Sequence, residues 1–248
     1  MDRTQVVAFG GNKSTSRRLL YGVPQGSVLG PLLFALYSAD VIRIAAKHGV
    51  CIHAYADDLQ TYISCAASDQ NTTTSRLLTV VSDIDRWMSS NRLKLNAGKT
   101  EVAWLGTRQQ LAKLNMSPLQ IKNQVIMPLD KVRDLGVIID SKLTMESHTA
   151  SVARSCFYQL RQLRSIQRSL TTDARRTLVT AFVANRVDYC NAVLYGTSTS
   201  VTRRLQMVLN SAARMVVGFG KYEHITPVLC DILHWLPVTA RIQFKLLL

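Results

Sequence analysis

Two adjacent carboxylates, Asp57 and Asp58, stand between two short strand-like segments, 50–54 and 59–63. Strand, two-residue turn and strand over 50–64 predict a β-hairpin with both carboxylates at its tip. Carboxylate oxygens suit Mg²⁺, and nucleotidyl transfer uses two such ions roughly 4 Å apart. Asp57 would then bind both ions and Asp58 would be the weaker ligand, with Tyr55 beside the primer terminus. An isolated Asp-Asp pair, however, is more often ordinary turn chemistry.

A second segment begins 32 positions upstream of Asp57, at Gln25-Gly26-Ser27, and continues through the apolar run 28–34. Gln25 offers both a donor and an acceptor, and Gly26 has no Cβ, so a base or sugar can approach the main chain. Ser27 is expected to cap a helix whose first N–H groups attract phosphate. The alternative is a plain strand–loop–helix junction, which also needs Gly and Pro.

Lys99 lies in a polar connection, 91–101, that ends in Gly98-Lys99-Thr100. A phosphate-binding P-loop would require glycine five positions before Gly98, where the chain has Leu93, and a helix rather than the predicted strand after it. We therefore exclude a P-loop. Lys99 could instead stabilise a leaving pyrophosphate, and a solvated lysine in a turn is equally compatible with the pattern.

In their order and spacing, these segments resemble the reverse transcriptase of non-LTR (LINE-type, jockey-like) retrotransposons. The matching segments are Gly22–Phe34 (motif B), Ala54–Asp58 (motif C), Leu93–Thr100 (motif D), Asp134–Val137 (motif E, the primer grip) and the tail 233–237. The long form beginning at Gln25 is much more specific than Tyr-Ala-Asp-Asp.

The resemblance implies an α+β fold: part of a right-hand polymerase palm over 1–148, followed by a helical, basic thumb and the start of a C-terminal region over 149–248. It implies an RNA-directed DNA polymerase whose catalytic and metal-binding residues are Asp57 and Asp58. Gln25, Gly26 and Ser27 would contact nucleotide and template. The implied cofactor is Mg²⁺, with Mn²⁺ as a substitute, and the implied partners are an RNA template, a DNA primer and deoxynucleoside triphosphates.

One departure concerns the family's motif A, which supplies a further metal-binding aspartate upstream of motif B. Only Asp2 is acidic among the 21 residues before Gly22. We therefore expect this chain alone to have little or no polymerase activity. Two other hypotheses stay open: a non-catalytic nucleic-acid-binding remnant of a mobile element, and a helical interaction protein that keeps the hairpin only as structure.

The charge is strongly positive, +14, and uneven along the chain. Residues 150–248 carry 13 basic and 4 acidic side chains, against 17 and 12 in 1–149. A polyanionic partner such as nucleic acid fits this excess, as does a solvated basic surface. Five scattered cysteines without a C-x-x-C pair, and no signal peptide, predict a reducing, intracellular location. The apolar stretch 28–46 contains Asp40 and Arg43, so it predicts a buried helix and no membrane partner.

The remaining pattern predicts the elements that position these residues. We expect a hairpin over 3–23 with its turn at 10–14; helices over 27–48 (with Gly49 as the stop), 75–90, 150–169, 172–190 and 200–218; a strand over 100–105; a strand pair at 124–127 and 135–139; and a helical pattern at the C-terminal end.

Overall fold

The computed structural model describes residues 3–23, 26–220 and 222–248. The chain divides into two compact units, residues 1–99 with 120–124 and residues 100–119 with 125–248. Helices mixed with small two-stranded antiparallel sheets confirm the α+β character. The division into functional parts near residue 148 stays a prediction, because packing units and functional parts need not coincide.

Within its described residues, the first unit contains four very short strands, one longer hairpin and three helices. They are β1 (Thr4–Gln5), β2 (Ala8–Phe9), β3 (Asn12–Lys13), β4 (Arg17–Arg18), α1 (Gly30–Tyr37), α2 (Ala39–Lys47), β5 (Cys51–Tyr55), β6 (Asp58–Tyr62) and α3 (Gln70–Ser90), with 3₁₀ turns at Ala67–Asp69 and Ala97–Lys99. The N-terminal hairpin is confirmed, since β1 pairs with β4 and β2 with β3 around the positive-φ residues Gly10 and Gly11.

The predicted helix over 27–48 is two helices. The break falls at Ser38, whose Oγ and N–H both donate to the carbonyl of Phe34, each at 2.9 Å. A serine hydroxyl that bonds the carbonyl four residues back bends a helix, and here it separates α1 from α2. Gly49 ends α2 as predicted, with a φ of 60° that side-chain-bearing residues rarely adopt.

The core of the first unit is small and lies between α2, α3 and the β5–β6 hairpin. Its buried members are Val41, Ala45, Val50, Val80 and Ile84. The predicted helix over 75–90 is confirmed and begins five residues earlier, at Gln70. By contrast, α1 buries none of its residues.

The second unit is mainly helical. It contains α4 (Arg108–Leu111), β9 (Lys131–Asp134), β10 (Val137–Asp140), α5 (Glu146–Ser165), α6 (Thr172–Val179), α7 (Asn185–Asp188), α8 (Thr199–Val217) and α9 (Val238–Leu247), with π-helical turns at Thr180–Ala184 and Val228–Ile232 and 3₁₀ turns at Gln167–Ser169 and Asn191–Leu194. The hairpin of β7 (Leu119–Ile121) and β8 (Gln124–Ile126) lies where the chain passes between the units.

One predicted strand is absent, and one predicted strand pairing is wrong. Residues 100–105 form no strand, because they make single backbone bonds (Leu129 N–H to Val102 O at 2.7 Å) instead of a ladder. Strands are present at both 124–126 and 137–140, as predicted, but they do not pair with each other, because each pairs within its own hairpin.

The helices predicted over 150–169, 172–190 and 200–218 are present, the second interrupted by a π-helical turn. They surround one apolar core whose innermost side chains include Leu160, Leu205, Leu209 and Val183. None of the helices within the described ranges is long and apolar enough to cross a membrane.

Candidate active site

The hairpin predicted around Asp57 and Asp58 is confirmed. Strands β5 and β6 pair antiparallel from Cys51 opposite Tyr62 to Tyr55 opposite Asp58. This register leaves Ala56 and Asp57 as the two turn residues, so Asp57 stands at the tip and Asp58 opens the returning strand. Ala56 has a φ of 53°, a value that two-residue hairpin turns require and that alanine adopts only at a cost.

The base of the hairpin is anchored by one apolar face. Ile52, Leu59 and Ile63 pack against the core between α2 and α3. Residues on one face of a strand recur every second position, so the same alternation turns Tyr55 and Asp58 to the opposite side. The core contacts therefore fix the strands at the base of the hairpin and leave the tip exposed to solvent.

The two carboxylates have no protein partners in the part of the chain that the structure describes. Asp57 and Asp58 are exposed, and neither side-chain carboxylate makes a hydrogen bond or an ion pair with any other described residue. Tyr55, which pairs with Asp58, is 67% exposed. Two carboxylates at a fixed tip, whose hard oxygens have no described protein partner, fit the ligand preference of Mg²⁺. Within the described residues, however, no third His, Cys, Asp or Glu completes a metal-binding group.

The contact between His53 and Tyr62 in the hairpin was not predicted from the sequence. On the carboxylate-bearing face, the rings of His53 and Tyr62 stack at 5.2 Å and 8°, and His53 Nε2 lies 2.8 Å from the Tyr62 hydroxyl. The two residues lie in strands that pair, so the predicted register of the hairpin was the signal that could have brought them together.

In the Gln25–Ser27 segment the structure tests only the predicted helix cap, and the nucleotide-contacting role of these residues stays a prediction. Gln25 lies outside the described residues, while Gly26 adopts a φ of 83° with open space where a Cβ would be. The expectation that Ser27 caps the helix was wrong, because α1 begins at Gly30 with Leu29 in the capping position. The hydroxyl of Ser27 is instead buried without a described hydrogen-bond partner. A Cβ on Gly30 would lie 2.7 Å from that oxygen, which explains a glycine there.

Lys99 lies at the end of a 3₁₀ turn in the first unit, with its N–H donated to Asn96 O at 3.0 Å. Its side chain is exposed. The contacts of the described residues do not join it to the hairpin carboxylates, so its role stays a prediction.

The Asp134–Val137 segment forms the turn of the β9–β10 hairpin in the second unit. Leu135 and Gly136 have φ values of 42° and 87°, as a tight primed turn requires. Tyr189 donates its hydroxyl to Leu135 O at 2.6 Å, and a Cβ on Gly136 would lie 3.4 Å from its ring. The turn is therefore held against the helical part of its own unit.

Residues 3–139, more than half of the chain, match the family described as "Reverse transcriptase (RNA-dependent DNA polymerase)". The chain belongs to this family. It is 27% identical over 241 residues to the "Probable RNA-directed DNA polymerase from transposon BS" of Drosophila melanogaster, covering 93% of this chain and 26% of that protein. It is 24% identical over 236 residues to the "RNA-directed DNA polymerase from mobile element jockey" of Drosophila funebris, covering 91% and 25%.

A third relative is the "Probable RNA-directed DNA polymerase from transposon X-element" of Drosophila melanogaster, 24% identical over 222 residues, covering 87% of this chain and 24% of that protein. The chain thus spans about a quarter of the length of these curated relatives. They confirm the sequence-based resemblance to non-LTR retrotransposon reverse transcriptases. No solved structure matches the chain.

Proposed function

We propose that this chain contributes part of the active site of an RNA-directed DNA polymerase from a non-LTR retrotransposon. The observation that supports the proposal is the hairpin tip, where the carboxylates of Asp57 and Asp58 are exposed and have no partner among the described residues, inside the segment that matches the family. In this function the partners are an RNA template, a DNA primer and deoxynucleoside triphosphates.

Asp57 and Asp58 would hold the two Mg²⁺ ions, which Mn²⁺ could replace. Bound metal ions would lower the pKa of the primer 3′-hydroxyl and neutralise charge on the triphosphate. The residues of this chain supply negative charge at a fixed tip, and Tyr55, on the same face as Asp58, would lie beside the primer terminus. Two carboxylates leave most of each coordination shell to phosphate oxygens, water or further protein ligands.

The loop before α1 would contact the incoming nucleotide and the template. Gly26 leaves the main chain open to close approach, and the buried hydroxyl of Ser27 has no hydrogen-bond partner among the described residues. Gln25 would act beside them, and Lys99 would meet the leaving pyrophosphate. We further propose that residues up to about 148 form part of a polymerase palm and that the basic helices after it form a thumb along the template–primer duplex.

Metal binding by the intact chain tests the hairpin directly. Mn²⁺ titration followed by electron paramagnetic resonance is expected to detect weak binding that is lost in Asp57→Asn and Asp58→Asn. The matched control is Asp40→Asn, because Asp40 is an exposed carboxylate already paired with Arg43 at 3.2 Å. Equal Mn²⁺ binding by the Asp57 variant and the control would contradict the proposed metal role.

Primer extension on poly(rA)/oligo(dT) tests the catalytic step. With no third metal-ligating side chain grouped with the carboxylates among the described residues, we expect slow extension by this chain alone. Rapid synthesis abolished by Asp57→Asn would show that the two carboxylates suffice. The alternative, a non-catalytic nucleic-acid-binding protein, predicts salt-sensitive duplex binding that Asp57→Asn leaves unchanged, with no metal binding at the tip.

A further inference from the structure

A pocket of about 400 Å³ lies in the second unit, between the end of α5 and the end of α8. Two phenylalanines and two arginines line it: Phe157 and Arg164 from α5, Arg214 from α8, and Phe219 just beyond α8. The volume falls within the range of small-ligand sites. None of the proposed catalytic residues belongs to this pocket.

The two arginines are incompletely paired. Arg214 donates through Nη2 to Glu223 O at 3.2 Å, but its Nε is buried without a described hydrogen-bond partner. Arg164 is exposed, and its side chain makes no hydrogen bond or ion pair with other described residues. No Asp or Glu is among the lining residues. Two guanidinium groups without a carboxylate favour an anionic ligand, and phosphate oxygens match their donor geometry.

The phenylalanine rings give the pocket an aromatic wall. Phe157 and Phe219 are 38% and 39% exposed. Phe219 is held in place by the end of α8, since Gly218 reverses the chain at a φ of 80° and the N–H of Phe219 donates to Arg214 O at 3.0 Å. Exposed rings beside cationic side chains are the features on which nucleobases stack.

We propose that this pocket binds one nucleotide of a single-stranded nucleic acid, with its base against Phe219 and Phe157 and its phosphate on Arg164 and Arg214. An anionic ligand without a flat ring would use the arginines alone and leave the rings unexplained. The excess of 13 basic over 4 acidic residues in 150–248 supplies the longer-range attraction. The choice of nucleic acid as the ligand rests on the proposed function, but binding here does not require the hairpin carboxylates.

The test separates base stacking from charge. The affinity of the intact chain for fluorescein-labelled oligo(dT) of ten nucleotides is measured by anisotropy and compared with an abasic chain of equal length and charge. The intact chain should bind oligo(dT) about ten-fold more tightly than the abasic chain, as expected for one stacked base. Phe219→Leu should lose this preference, and Phe219→Tyr should keep it.

The matched control is Phe182→Leu, because Phe182 is a similarly exposed ring that does not line the pocket. This variant should keep the preference, as should Asp57→Asn, which separates the pocket from the hairpin. Equal affinity of the intact chain for the two oligonucleotides would overturn the proposal. So would the same loss in Phe219→Leu and Phe182→Leu. Thymidine monophosphate competing as well as oligo(dT) would assign the pocket to free nucleotides instead.

Discussion

Asp140→Ala is expected to destabilise the second unit by about 3 kcal/mol. The carboxylate of Asp140 accepts hydrogen bonds from the N–H of Thr144 at 2.9 Å, the hydroxyl of Thr144 at 3.1 Å and the N–H of Met145 at 2.8 Å. Thr144 is exposed and can turn to water, but Met145 is only 5% exposed. Its N–H would be left unsatisfied, at a cost of about 1–3 kcal/mol.

The loop itself adds to this cost. Leu143 and Met145 are held at φ values of 56° and 61°. Each such value costs a residue other than glycine about 1 kcal/mol or more. The Asp140 bonds keep this strained turn closed ahead of α5. For a chain of this size, about 3 kcal/mol corresponds to a melting temperature lower by about 6–12 °C. The matched control is Asp231→Ala, since Asp231 is an exposed carboxylate without a described partner.

The same carboxylate predicts a pH dependence. Burial alone would raise the pKa of Asp140, but the hydrogen bonds from Thr144, Met145 and Lys142 outweigh it and lower the pKa below its ordinary 3.8. The stabilisation by ionised Asp140 is therefore complete above about pH 4 and lost as the pH falls through the lowered pKa. The stability gap between the intact chain and Asp140→Asn, measured by urea unfolding, should shrink below pH 4. A gap that stays constant to pH 2.5, or an Asp140→Ala melting temperature within 1 °C of the control, would refute this reasoning.

Three further outcomes follow from the packing. Gly49→Ala should cost about 1–3 kcal/mol in urea unfolding, because φ is 60° and the new Cβ would overlap the Arg76 guanidinium, whereas Gly98→Ala, with ordinary contacts, should not. Burial, and then an arginine charge, lower the pKa of His148 below its ordinary 6.5. As the pH falls from 7.5 to 5.5, the intact chain should therefore lose more stability than His148→Gln. Equal losses in the two proteins would contradict this. Burial raises the pKa of Cys156 to about 11, so its thiol should react with Ellman's reagent far more slowly than the exposed cysteines, and equal rates would exclude the buried environment.

The hairpin was predictable because its signal is local. Alternating side chains and a two-residue turn determine where each strand begins and ends, and Asp57 and Asp58 follow from that register. The helix break at Ser38 was not predictable from periodicity, because apolar spacing continues across it and only the hydroxyl bond to Phe34 O marks it. The prediction of a strand at 100–105 was wrong for a different reason. Strand-forming residues need a partner strand, and no strand of the described residues pairs with this segment.

The residues that organise the second unit were also missed, because their roles depend on distant partners. In the sequence Asp140 is not distinguishable from an ordinary turn residue. In the structure it is only 7% exposed, and its carboxylate holds the loop before α5. His148 is buried on α5, where its Nδ1 accepts the N–H of Ile138 at 3.3 Å and so joins that helix to β10. No pattern in the sequence pairs these residues.

At the hairpin, stabilising contacts and unpaired charge occupy opposite ends of the same element. Ile52, Leu59 and Ile63 anchor the base in the core, while the tip carries two like charges and a strained alanine, and none of the described side chains compensates the charge. Adjacent carboxylates repel each other, and the φ of 53° at Ala56 adds an unfavourable conformational free energy. A hairpin that served only as structure would gain stability from a neutral tip with glycine in the turn. The tip instead retains the negative charge that a divalent cation would neutralise, and this separation of anchor from charge favours a ligand-binding role for Asp57 and Asp58 over a purely structural one.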